Sequence, residues 1–163
     1  MALVVIDNPR PPERSFEFLL RAALTGSVAS IAIAAALGWL ARREGKRPLQ
    51  PINATSHWLH GEQAGRVRRV DAAHTLVGYL THHASAIFWA MFLEGLLGRG
   101  RRSPAMLLGS AAAVAGTAAL VDYGMVPKRL TPGWELTVSK QAVAGAFVVM
   151  ALALAAGAAL ARR

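Results

Sequence analysis

Residues 72–98 read AAHTLVGYLTHHASAIFWAMFLEGLLG. As a helix rising about 1.5 Å per residue, this stretch is about 40 Å long and exceeds the roughly 30 Å hydrocarbon core of a bilayer. It is apolar apart from a few groups, of which His74, His82, His83 and Glu94 are ionisable. An ionisable side chain at such depth avoids lipid, so it faces the inside of a bundle or a cavity. A helix of this kind needs partners.

Working outward, three further apolar stretches supply them, over about 16–40, 104–126 and 134–161. The expected fold is an all-α integral membrane protein. Four transmembrane helices (16–40, 72–98, 104–126 and 134–161) form an antiparallel bundle, with a structured interfacial loop, 44–70, between the first two. Residues 1–163 then make a single transmembrane domain. The first fifteen residues read as a polar, proline-bearing tail. They lack the apolar core and small-residue cleavage site of a signal peptide.

The composition agrees. Of 163 residues 54% are hydrophobic, and a net charge of +9 comes from 18 Lys and Arg against 9 Asp and Glu. In a soluble chain that excess would suggest nucleic acid. Here Arg42, Arg43, Lys46, Arg47, Arg66, Arg68, Arg69, Arg99, Arg101, Arg102, Lys128 and Arg129 flank the spans, where anionic headgroups lie. Membrane lipids, not nucleic acid, are the expected partners. The absence of cysteine excludes disulfides and thiolate chemistry. An Ala-, Gly-, Leu- and Arg-rich chain suggests a bacterial, multi-pass inner-membrane location.

Local signals place the helix ends. Gly26, Ser30, Ala34 and Gly38, spaced by four, draw a small-residue strip for close helix packing. Ser103–Pro104 opens the third helix as a serine cap followed by proline. Thr131–Pro132 reads the same way ahead of the fourth, and Pro127 ends the third. In the loop, a short interfacial helix is expected over 53–64, with Trp58 at headgroup level.

Alternating helix direction brings the 44–70 loop, the start of the second span, the end of the third and the start of the fourth to one face. His57, His60, His74, His82, Asp122 and Lys140 are therefore expected to converge in a polar ligand-binding or relay pocket under the loop. On a helical wheel Asp71, His74, Gly78, His82, Ser85 and Trp89 share a stripe. His83, Ile87 and Glu94 lie on another, so His82 and His83 cannot enter one site.

His57, His60 and Glu62 are the candidate metal ligands. The competing reading makes His57 a hydrogen-bonding tie between loop and bundle. His74 and His82, about 12 Å apart along their helix, cannot share an ion. A bis-histidine haem would need a loop ligand, since the other three spans contain no histidine, and no cofactor is assigned. Glu17 and Arg21, at i, i+4, read as a shallow pair. Asp122 reads as neutralising Lys128, Arg129 or Lys140. No nucleophile stands at a recognisable spacing from a base, so an enzyme is disfavoured.

The stretch Pro51-Ile52-Asn53-Ala54-Thr55-Ser56-His57-Trp58-Leu59-His60-Gly61, with His74-Thr75 and His82-His83-Ala84-Ser85, resembles a group of small bacterial four-helix inner-membrane proteins with no agreed activity. The resemblance implies that loop and helix histidines act together, and it carries over no catalytic role. The expectation is a non-catalytic accessory subunit of a larger membrane complex, or a module binding a lipid, quinone or other small ligand. The alternative is a small homo-oligomeric proton- or ion-coupled transporter.

Overall fold

The computed structural model describes residues 11–163, with side chains from Arg14 onward. Most of the expected polar tail lies outside the described residues. From Pro11 the chain is already helical, and α1 (Pro11–Arg43) overruns the expected 16–40 at both ends. Two short helices follow, α2 (Gln50–Thr55) and α3 (His57–His60), then a 3₁₀ turn at Glu62–Arg66. A π turn, Ala72–Leu76, leads into α4 (Val77–Leu97); α5 (Pro104–Leu120) ends in a second π turn, Val121–Met125. Two 3₁₀ turns precede α6 (Lys140–Leu160). The described residues contain no strand, and four helical stretches are long and apolar enough to cross a membrane.

Ser103 caps α5 by accepting from the Met106 N–H at 3.3 Å. The last helix differs from expectation, starting at Lys140 with Ser139 as its cap, 3.2 Å from the Ala142 N–H. The reason lies at Gly133, whose φ of +81° turns the chain. That conformation suits glycine, and the Trp134–Leu136 turn which follows carries Trp134 into the interior.

The four long helices form a ring in which α1 packs on α4 and α6, and α5 packs on α6 and more loosely on α4. Thr25 meets Glu94 of α4 and Gly157 of α6, while Ser30 meets His82 and Leu40 approaches Gly145. Both neighbours therefore run antiparallel to α1. Close approach is made possible by missing side chains. A Cβ on Gly26 would lie 2.5 Å from Ile87 Cα, and one on Gly157 would lie 2.9 Å from Thr25 Cα. The small-residue strip of α1 is thus the seam to α4, and its far end, Gly38, sits against the Pro48 carbonyl. Because α1 covers the His83–Ile87–Glu94 stripe, that stripe also faces inward.

Polarity is arranged against the usual pattern for a chain in water. Thr25 and Ser30 are 0% exposed and Glu94 is 1%, whereas Phe16 is 62%, Leu96 65% and Leu120 71% exposed. Buried polar groups and extended apolar surface are the two informative departures from a soluble surface.

The 44–70 loop is built into the bundle. Every residue of α2 is buried, and Gly78 lies directly beneath the Ile52 carbonyl. Asn53 is the hub. Its Nδ2 donates to the Val67 and Arg69 carbonyls, both at 2.9 Å, and its Oδ1 accepts from Thr75 Oγ1 at 2.7 Å. In place of the single helix expected over 53–64, helix starts at Gln50, with Pro51 in the first turn. It stops at Gly61, whose φ is +74°.

Candidate functional site

Where α4 and α5 separate, a cavity of about 480 Å³ opens beneath the loops. Its walls are Ile33 of α1, His82, Ser85, Phe88 and Trp89 of α4, Val121 and Asp122 after α5, and Phe147 and Met150 of α6. Thr55, Trp58, Leu130, Pro132 and Trp134 close it from the connectors.

His82 is buried and its Nε2 lies 3.0 Å from the Ser30 carbonyl. A carbonyl only accepts, so Nε2 carries the proton, and Nδ1 of the neutral ring is an acceptor. The Trp134 ring stands edge-on to His82, with centroids 5.8 Å apart, and packs on Phe147 at 5.6 Å. Asp122 follows Leu107, Ala111, Val114, Ala115 and Ala118 on the buried face of α5. Among the described residues no hydrogen bond or ion pair reaches its carboxylate. The expected neutralisation by Lys128, Arg129 or Lys140 is therefore not made; all three side chains are exposed. A second lining group is also unsatisfied: Trp134 Nε1 is buried with no hydrogen-bond partner among the described residues.

Of the six residues expected to converge, only His82 and Asp122 line this cavity. His57 lies behind its wall, with Nε2 donating to the Thr131 carbonyl at 2.9 Å, a carbonyl that Trp58 Nε1 also reaches at 2.8 Å. It ties the two connectors together, and Gly133 leaves room for its ring. Trp58, expected at headgroup level, is a cavity wall.

His60 and His74 form a separate outer cluster, their rings 4.7 Å apart. Asp71 caps the π turn there, accepting from the His74 N–H at 2.7 Å and pairing with Arg69 Nε at 2.6 Å. The Arg69 guanidinium, with the His74 N–H, holds the Asp71 carboxyl well below the usual carboxylate range. His60 Nε2 lies 2.9 Å from the Ala73 carbonyl. Lys140 is exposed in the first turn of α6 and belongs to neither group. Among the described residues no three His, Cys, Asp or Glu side chains gather as a metal-holding group. His57, His60 and Glu62 in particular are apart in role, with Glu62 exposed.

Sequence reasoning missed the aromatic walls. A tryptophan in a connector as short as 127–139 was the available signal, because so large a side chain seeks burial.

At the opposite end of the bundle, Glu94 receives Thr25 Oγ1 at 2.9 Å and Arg162, while Arg21 Nε lies 3.5 Å away. Glu17, 3.8 Å from Arg21 as its i, i+4 partner, is held more closely by Arg99 at 2.7 Å.

No protein-family model, curated protein or solved structure matches the chain. The chemistry of the site rests on its own residues.

Proposed function

We propose that this chain is a multi-pass protein of the bacterial inner membrane. Its cavity would serve as a binding site for a small, mainly apolar ligand with a compact polar head, of lipid or quinone size. It acts as a non-catalytic binding module, alone or as an accessory subunit. The observation that carries this reading is an aromatic-walled cavity lined by a half-buried carboxylate that no described residue satisfies, that of Asp122.

A carboxylate left without a partner in an apolar site is costly, and a ligand that supplies the partner recovers that cost. The volume, about 480 Å³, falls among small-molecule sites, and the walls have the usual mixture of aromatic surface with few polar groups. The loose α4–α5 seam, beside the exposed Phe88, offers a lateral path from lipid. Lys140 is left out of the site. The polar set is His82, Ser85 and Asp122.

The test is a titration of the detergent-solubilised protein with 1-aminoanthracene, followed by quenching of tryptophan fluorescence. Saturable binding that Ser85→Trp abolishes by filling the cavity supports the proposal. Equal binding by the filled variant refutes it.

A further inference from the structure

Resting on the reading of the cavity as a ligand site, we propose that its ligand is a lipophilic cation: an ammonium or phosphonium centre on an apolar body. The cavity lining carries one formal charge, that of the Asp122 carboxylate. No cationic side chain among the described residues lies within ion-pair distance of it. The neighbouring carboxylate does not compensate. Glu135, held by the Tyr123 hydroxyl at 2.9 Å and the Thr131 hydroxyl at 2.5 Å, is itself a carboxylate and sets a like charge beside Asp122.

His82 makes no ion pair with it either, and its Nε2 proton is committed to the Ser30 carbonyl. Five aromatic side chains, Trp58, Phe88, Trp89, Trp134 and Phe147, share the remaining walls with aliphatic ones. Aromatic faces attract cations, and a half-buried carboxylate without a partner favours an opposite charge. Both features favour a positive ligand and disfavour an anion.

The experiment compares tetraphenylphosphonium with tetraphenylborate, alike in shape and opposite in charge, and with a neutral short-chain quinone. Binding is measured on the full chain in an uncharged detergent at mildly alkaline pH, subtracting the signal of Ser85→Trp. Saturable binding of the phosphonium, with the borate and quinone much weaker, is the expected result. Asp122→Asn should then lower phosphonium affinity by about tenfold, the loss of one attraction between opposite charges. Borate or quinone binding as tightly as the phosphonium would overturn the cationic ligand while leaving the cavity as a site. Binding of none of the three would overturn both readings. The charge comparison uses the native chain, so it decides the matter even where Asp122→Asn fails to fold.

Discussion

Arg162 meets Glu94 with both arms of its guanidinium, Nη1 to Oε1 at 3.0 Å and Nη2 to Oε2 at 2.7 Å. The Glu94 side chain is 0% exposed and that of Arg162 is 5%. The pair spans 68 residues of sequence and links the end of α6 to the last turn of α4. Arg162 Nη2 also donates to the Gly98 carbonyl at 3.2 Å, satisfying backbone where α4 ends. Thr25 completes the lock from α1. Buried ion pairs contribute little net stability over apolar packing, but removing Arg162 takes the two-armed partner from Glu94 and leaves it only Arg21, 3.5 Å away.

The first prediction follows from that asymmetry. Arg162→Ala, which leaves Glu94 only the more distant Arg21, should cost about 1–3 kcal/mol in reversible unfolding in detergent, whereas replacing both Glu94 and Arg162 by leucine should cost less. A single truncation no worse than the double replacement would contradict the lock.

Glycines differ sharply in what surrounds them. A Cβ on Gly78 would collide with the Ile52 carbonyl, a backbone atom with little room to yield, so Gly78→Ala should destabilise by about 1–3 kcal/mol. Gly109, inside α5, has nothing near its Cβ position. Gly109→Ala should leave stability unchanged or raise it by up to about 1 kcal/mol. Thermal melts of the two variants under one set of conditions check the contrast, and equal melting points would contradict it.

The Thr131 carbonyl is served by two donors, His57 and Trp58. Loss of His57 alone, as in His57→Leu, leaves one donor and should cost about 1 kcal/mol. Combining it with Trp58→Phe strands a buried carbonyl and should cost more than the sum of the single changes. A double-mutant cycle of unfolding free energies measures the coupling; strict additivity would refute a shared acceptor.

Asp71 sets an acid limit on the outer cluster. Its carboxyl titrates below the ordinary range in the folded chain, so the unfolded chain takes up its proton first as pH falls. The stabilisation is complete above the unfolded carboxylate pKa of about 3.9 and is lost as pH falls toward the lower folded value. Asp71→Asn should therefore lower the melting temperature at neutral pH, with the gap to the native chain narrowing only in strong acid. A constant gap across that range would contradict the assignment.

The four long helices were legible because apolar length and serine caps are local signals, and Ser103–Pro104 needs no tertiary information. The alternation of helix direction was legible too, and it brought Asp122 to the face of the 44–70 loop, with His82 deeper along its helix than His74. Which side chains turn inward there was not. Lys140 shares the face but sits on the exposed side of α6, and the π turn after Asp71 holds His74 in an outer cluster with His60. Glu94 carried a usable signal: a carboxylate near the end of an apolar helix requires a cation. Arg162 is the cation at the same end, yet the pairing depends on α4 and α6 both lying against α1. That arrangement comes from Gly26 and Gly157, two close approaches that no single helix reveals.

The cavity remains the central claim, and native mass spectrometry of the chain released from mild detergent tests it most directly. The native chain is predicted to retain a small apolar molecule that Ser85→Trp, equally folded, does not carry. Identical spectra for the two, with no retained molecule lost on filling the cavity, would contradict the account.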